Sequence, residues 1–208
     1  MIRSVLAAGA LTIFLALSAF AACGKDGPTE PARDPPAPAR IAVSPQDTTL
    51  YAIGERVQLE AVVFDQYDNV FPGATVTWKG DGNSVASVIA TGLVTAIGNG
   101  TALITAVYAG ATGTATVVVQ QRASWVRIEP YKVEFGEVGE FVQLTARVVD
   151  RFNHEIRGAE VTWSSSHPAV VGVTIDGRVR ALQPGEARIT ATSGRATGSI
   201  VVTVGSGS

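Results

Sequence analysis

The stretch VQLEAVV at residues 57–63 decides the fold of this chain. Its apolar residues recur at every second position from Val57 to Val63, which places them on one face of a half-buried β-strand. The stretch VQLTARV at residues 142–148 repeats this pattern 85 positions later. The chain therefore contains the same strand twice, and we compared the rest of the sequence as two copies of one unit.

The repeat covers most of the chain. At an offset of 85, residues 41–119 align with residues 126–204 without a gap, and more than a third of the paired positions are identical. Fifteen of the identities are apolar residues that recur mostly at spacing two, so we predict that they form the core of each copy. In the first copy they are Val57, Leu59, Ala61, Val63, Val76, Trp78, Val85, Val88, Val94, Ala96, Ala102, Ile104, Ala106, Val117 and Val119.

This pattern predicts an all-β fold. Beyond the N-terminal segment, no stretch of ten residues carries an apolar stripe at helical spacing, whereas short alternating stretches separated by turn residues are typical of a β-sandwich. About 80 residues are enough to bury an independent core. We therefore predict two tandem immunoglobulin-like β-sandwiches, at residues 40–120 and 125–204, followed by a flexible tail at residues 205–208.

Four motifs occur in the same order in both copies, and they resemble the bacterial immunoglobulin-like domain, group 2. They are GERVQL at 54–59, GATVTW at 73–78, TGLVTA at 91–96 and GTALITA at 100–106, with GEFVQL at 139–144, GAEVTWSS at 158–165 and DGRV at 176–179 in the second copy. The resemblance covers nearly everything after Ala39. It implies a fold similar to the stalk modules of invasin and intimin adhesins, and it implies surface display without catalysis.

Trp78 and Trp163 are equivalent residues of the two copies. The chain has one cysteine, so the disulfide that usually joins the two sheets of an immunoglobulin fold cannot form. We predict that each tryptophan fills its core by packing alone, since one tryptophan buries about 200 Å². A role in stacking against a ligand is the alternative interpretation.

The first 22 residues are interpreted as a signal peptide with a helical apolar segment. Arg3 is followed by an uncharged stretch from Val5 to Ala22, as in secretory signals. The residues FAAC at 20–23 resemble a bacterial lipobox, which predicts that Cys23 carries a lipid after processing. Ordinary cleavage after Ala21, which would leave a free thiol, is the alternative.

Residues 23–39 are interpreted as a tether. Five prolines between positions 28 and 38 favour an extended polyproline II conformation, with a reach of about 50 Å. A proline-rich recognition motif is the alternative. Gly24 follows the cysteine where an inner-membrane signal would have Asp, so the resemblance to bacterial lipoproteins implies an exported, membrane-anchored protein of the outer membrane or cell surface.

The composition excludes several classes of protein. Sixteen basic and 18 acidic side chains give a formal net charge of −2, which is too balanced for a nucleic-acid-binding protein. One cysteine and two histidines leave few ligands for zinc. No acid–base pair, activated nucleophile or phosphate-binding loop is evident. We predict that the chain is not an enzyme and has no cofactor and no metal.

Two groups of polar residues are candidate sites. Asp65, with Asp68 and Asn69, and its counterpart Asp150, with Asn153, offer oxygen atoms to calcium, but a turn in which Asp and Asn tolerate left-handed backbone is favoured. The two histidines, His154 and His167, are expected to be solvated turn residues.

The copies differ most at outward-facing positions. The second copy has Arg147, Arg178, Arg180 and Arg188, and we hypothesise that they form a face for an acidic partner such as a polysaccharide; a solvated strand face is the alternative. Their first-copy counterparts include Val62, Leu93 and Leu103, which either form an adhesive apolar patch or are ordinary surface residues. Trp125, which begins the second copy, is predicted to pack at the seam between the domains.

These observations predict a non-catalytic surface module. We expect a monomer that is attached to a membrane through Cys23 and binds a surface protein or a glycan. The alternative is a structural spacer or envelope component with no dedicated ligand.

Overall fold

The computed structural model describes residues 33–81 and 84–207. The predicted signal peptide at residues 1–22, the predicted lipidation site Cys23 and the tether up to residue 32 lie outside the described residues. Within the described part of the chain there is no helix, and hence no helix long and apolar enough to cross a membrane.

The described residues of the first domain form nine strands. They are β1 (Pro38–Ser44), β2 (Asp47–Leu50), β3 (Arg56–Gln58), β4 (Glu60–Asp65), β5 (Thr77–Gly80), β6 (Ala86–Val88), β7 (Leu93–Ala96), β8 (Gly100–Tyr108) and β9 (Ala111–Val119). The second domain repeats them as β10 (Trp125–Glu129), β11 (Val133–Phe135), β12 (Phe141–Gln143), β13 (Thr145–Val149), β14 (Thr162–Ser165), β15 (Val171–Val173), β16 (Arg178–Ala181), β17 (Gly185–Ser193) and β18 (Ala196–Val204).

Each domain is a sandwich of two layers. In the first domain one layer is the four-stranded sheet β2-β9-β8-β5, and the other is the sheet β3-β7-β6 together with the antiparallel pair β1-β4. The second domain has the same order, with β11-β18-β17-β14 facing β12-β16-β15 and the pair β10-β13. The registers agree as well, since Trp78 pairs with Ala106 on β8 and Trp163 pairs with Ala191 on β17. The chain is therefore two tandem immunoglobulin-like sandwiches, as the sequence predicted.

The predicted core residues lie inside both sandwiches. All fifteen predicted core residues of the first domain are buried or half-buried and pack in its hydrophobic clusters. The first core divides into two clusters, and Trp78 packs against both of them. The second core is a single cluster that includes Ile128 and Ile200, where the first domain has the smaller Val43 and Ala115.

Gly92 and Gly177 explain why each tryptophan keeps its place. They have φ angles of +82° and +84°, a left-handed conformation that favours glycine. A Cβ atom at Gly92 would lie 2.5 Å from the carbonyl oxygen of Leu59 and 3.0 Å from the Trp78 ring. At Gly177 the corresponding distance to the Trp163 ring is also 3.0 Å. The glycine therefore lets the tryptophan ring lie directly against the backbone.

Two predicted boundaries need correction. β1 begins at Pro38, two residues before the predicted start of the first domain at residue 40, because a proline can open an edge strand although it donates no hydrogen bond. At the other end, the N–H of Gly205 donates to the carbonyl oxygen of Phe135 at 2.9 Å. The predicted tail at residues 205–208 is therefore attached to the second domain at its first residue.

Candidate functional site

The Asp150 side chain lies where the two domains meet. It follows β13 and is fully buried. Its Oδ1 accepts hydrogen bonds from the backbone N–H groups of Phe152 at 2.9 Å and His154 at 3.0 Å, which close its own turn. Its Oδ2 accepts one from the backbone N–H of Ile53 and one from Nε2 of Gln121, both at 2.9 Å. One carboxylate of the second domain thus binds both the first domain, through Ile53, and the segment 120–124 that connects the two domains, through Gln121.

These hydrogen bonds set the charge state of Asp150. Burial raises the pKa of the carboxyl group, but the Gln121 amide and the backbone N–H groups of His154, Ile53 and Phe152 together outweigh burial and hold the pKa below its ordinary value. Asp150 is therefore ionised at neutral pH, and its four hydrogen bonds are charge-assisted.

An ion pair lies beside this carboxylate. The Arg151 guanidinium is 2.6 Å from Oε1 of Glu55, while Oε2 of Glu55 accepts from the backbone N–H groups of Tyr51 and Ala52 in its own domain. The Glu55 side chain is therefore fixed by hydrogen bonds within the first domain, and Arg151 of the second domain pairs with its other carboxylate oxygen. The connection is anchored too, because the Arg122 guanidinium lies 3.5 Å from the centre of the Tyr51 ring.

Asp65 is the first-domain counterpart of Asp150. Its Oδ1 accepts from the backbone N–H groups of Tyr67 and Asn69 at 2.9 and 2.8 Å, and its Oδ2 accepts from the Asn69 side-chain amide at 3.3 Å. Burial raises its pKa, and these hydrogen bonds outweigh burial and lower the pKa overall. The predicted left-handed turn is confirmed, because Asp68 and Asn153 have φ angles of 62° and 70°. In the described part of the chain, no cluster of three or more His, Cys, Asp or Glu side chains is placed to hold a metal ion.

Trp125 was predicted to pack at the seam. It is 39% exposed and pairs in register with Val149, next to Asp150 in sequence. We call the contact between the two domains, together with residues 120–124, the join. Asp150, Ile53 and Gln121 make the hydrogen bonds across the join. The sequence predicted a turn at Asp150, with a calcium ligand as the alternative, but carried no signal for its contact with Ile53, which is 97 positions away.

The four predicted arginines are exposed but do not form one patch. Arg178 and Arg180 lie together on β16, and Arg147 lies on β13 directly opposite Arg127 of β10. Arg188 lies on β17 in the other sheet, where its Nη1 donates to Oγ of Ser199 at 3.1 Å. The two layers of a sandwich turn their outer faces in opposite directions, so Arg188 is separated from the others.

Phe141 completes the surface around Arg178 and Arg180. It is 61% exposed, pairs in register with Arg180, and lies with its ring centre 3.9 Å from the Arg178 guanidinium carbon. Gly172 and Leu182 border the same open cleft, whose volume is about 580 Å³. Sequence reasoning missed Phe141, although an aromatic residue at an outward position of a strand is a visible signal.

The predicted apolar patch of the first domain is divided as well. Val62 is 40% exposed on β4 and Leu93 is half-buried on β7, whereas Leu103 is 41% exposed on β8 of the opposite sheet. The two histidines are exposed, as expected. His167 contacts Oγ of Ser166 at 3.0 Å, and that oxygen also accepts from the backbone N–H of Arg188, so the pair belongs to a turn.

A family model for the bacterial Ig-like domain (group 2) matches residues 39–119 and 126–204. The chain belongs to this family. The two matches coincide closely with the two sandwiches, so both copies are bacterial Ig-like domains. The family relationship confirms the resemblance that the repeated motifs suggested.

Two solved structures that resemble this bacterial Ig-like pair have low sequence identity to it. Domains 1–6 of the surface layer protein SbsC match with 22% identity and a TM-score of 0.40, covering 84% of this chain and 29% of that chain. The Drosophila N-cadherin EC1-4 structure matches with 10% identity and a TM-score of 0.42, covering 82% of this chain and 50% of that one. The chain thus spans 29% of the length of the SbsC structure. No curated protein matches it.

Proposed function

We propose that the chain is a non-catalytic interaction module of the bacterial cell surface or periplasm, which binds a surface protein or polysaccharide through its second domain. Membership in a family of immunoglobulin-like domains supports the module, and the comparison of the two copies supports the site. The main support comes from Arg178 and Arg180, which are exposed on the second domain. Among the described residues, no carboxylate lies within 4.0 Å of either guanidinium group. Their first-domain counterparts are Leu93 and Thr95.

The proposal includes attachment to a membrane. The lipobox-like residues at 20–23 and the proline-rich residues up to Pro38 support a lipid on Cys23 and a spacer between the membrane and β1. Several acyl chains on one residue hold a protein stably at a membrane. In cells, we expect the lipid-modified mass at the mature N-terminus and release of a Cys23→Ser variant into the soluble fraction. An unmodified chain that begins at Ala22 would overturn this part.

A structural spacer is the second candidate. It is favoured by the join, where Asp150 and Arg151 of one domain bind Ile53 and Glu55 of the other. Contacts of this kind hold two domains together, which a spacer requires. A spacer, however, has no use for a face of exposed arginines on one domain alone.

Binding to intact cells of the host bacterium separates the two candidates. We would label the chain carrying Cys23→Ser and compare it with a variant in which Arg147, Arg178 and Arg180 are changed to serine. We expect at least tenfold weaker binding of the triple variant. A control that changes Arg157 and Arg195, which are also exposed, is expected to bind within twofold of the parent. Absence of binding by the parent would support the spacer, and equal binding by both would overturn the assigned face.

A further inference from the structure

We infer that the cleft beside Phe141 binds the carboxylate-bearing sugars of an acidic polysaccharide. This inference rests on the proposed function, for which it names the ligand class and narrows the site to Phe141, Arg178 and Arg180. Arg147 and Arg188 then lie outside the site.

The register of three strands builds the cleft. Arg180 pairs with Phe141 on one side and with Gly172 on the other, so these three residues form one row across the sheet β12-β16-β15. Gly172 has no side chain, which leaves the row open at one end, and Leu182 borders it. The corresponding row of the first domain is Arg56, Thr95 and Ser87, which also has one arginine but lacks the aromatic ring, and the counterpart of Arg178 is Leu93.

Two guanidinium groups in this cleft are available to an anion. The guanidinium carbon of Arg178 lies 3.9 Å from the centre of the Phe141 ring, a cation–π contact that orders the arginine side chain. The nearby Asp176 accepts a hydrogen bond from the Thr174 hydroxyl and also attracts Arg178 electrostatically, but it forms no ion pair with Arg178 within 4.0 Å. Because alternate residues of a strand lie about 7 Å apart, Arg178 and Arg180 present two forks that each fit a carboxylate bidentately.

The backbone of the cleft favours a sugar over an extended acidic peptide. An extended peptide gains affinity by pairing its main chain with a free strand edge. β16 is the central strand and is already paired with β12 and β15, so the cleft recognises a ligand by side chains. A uronate unit has an apolar C–H face and a carboxylate on one ring, which match the exposed Phe141 ring and the neighbouring guanidinium groups.

The test uses immobilised polygalacturonic acid and the purified chain. We expect Arg178→Gln and Arg180→Gln each to weaken binding at least tenfold and Phe141→Ala to weaken it about fivefold. The matched controls Arg157→Gln and Arg195→Gln remove the same charge from exposed positions outside the cleft and are expected to change binding less than twofold. Phe141 is largely exposed, so its variant is expected to fold, which the unfolding temperature checks.

Three further probes identify the chemistry. Methyl-esterified polygalacturonate, which keeps the sugars and lacks the charge, is expected not to bind. Dextran sulfate and poly-glutamate are expected to bind at least tenfold more weakly than polygalacturonate. Equal losses in the cleft and control variants, or equal binding of either anionic probe, would overturn the inference. Loss of cell binding in the cleft variants without any binding to polygalacturonate would overturn the ligand class alone and leave the proposed function intact.

Discussion

Asp65 and Asp150 occupy the same turn of the two domains, yet their carboxylates contact different parts of the molecule. Both accept two backbone hydrogen bonds within the turn. The remaining oxygen of Asp65 binds the Asn69 amide of its own turn, whereas that of Asp150 binds Ile53 and Gln121 across the join. A residue that both copies need for a local turn thus gains a second role only where another domain lies beside it.

The cores differ in a related way. The first core is two clusters that Trp78 and Val43 both contact, and the second core is one cluster. We therefore expect Trp78→Ala to destabilise its domain more than Trp163→Ala does, although each substitution should cost about 3–5 kcal/mol. Urea unfolding of the two variants, followed by circular dichroism and by hydrogen exchange of amides on β8 and β17, measures the loss in each domain, since Trp78 is the one tryptophan of the first domain. An equal or larger loss for Trp163→Ala would contradict the bridging role of Trp78.

The two aspartates can be compared directly by substitution. Asp150→Asn removes the charge from four hydrogen bonds, so we expect a loss of about 1.5–3 kcal/mol in the unfolding free energy and a looser join. Asp65→Asn, which affects only its own turn, is expected to cost less. Hydrogen exchange of the Ile53 amide reports the join and should increase only for Asp150→Asn. Unchanged exchange of that amide would show that the carboxylate does not hold the domains together.

Acidification should weaken the same contacts. The pKa of Asp150 is lower in the folded chain than in the unfolded chain, so its contribution to stability is complete above the unfolded value of about 4 and is lost as the pH falls through the folded value. Unfolding free energy is therefore expected to change little through this group between pH 7 and pH 5 and to fall below about pH 4. The Asp150→Asn variant should lose less on acidification, and an equal loss would assign the acid sensitivity to other carboxylates.

The smallest effect is expected from the ion pair. The side chain of Arg151 is half exposed, and exposed pairs contribute about 0.2–1 kcal/mol. Arg151→Gln should therefore lower the unfolding free energy by no more than this, and 0.5 M salt should remove most of the difference from the parent. Gln66 occupies the equivalent position in the first domain, so Arg151→Gln also makes the two turns more alike. A salt-independent loss would indicate that packing of the side chain, rather than its charge, stabilises the join.

Much of the fold followed from local pattern. Apolar residues at every second position in 57–63 and 142–148 predicted strands, and the repeat at an offset of 85 residues predicted two domains. Strand parity also showed which side chains point outward, because Arg147, Arg178, Arg180 and Arg188 are all exposed. The alternation of residues along a strand does not show which outward side chains are neighbours. The predicted face therefore combined arginines that lie on opposite layers of the sandwich, and it left out Phe141.

The sequence by itself determined the strands, the cores, the two equivalent tryptophans and the aspartate turns, because each depends on residues close in the chain or on the alternation of a strand. Only the tertiary structure decided that Phe141 lies across from Arg180 and that Asp150 binds Ile53, which is 97 positions away. These contacts depend on the pairing of distant strands and on the approach of one domain to another. Alternation within a strand carries no information about either, which is why the cleft and the join emerged only from the folded chain.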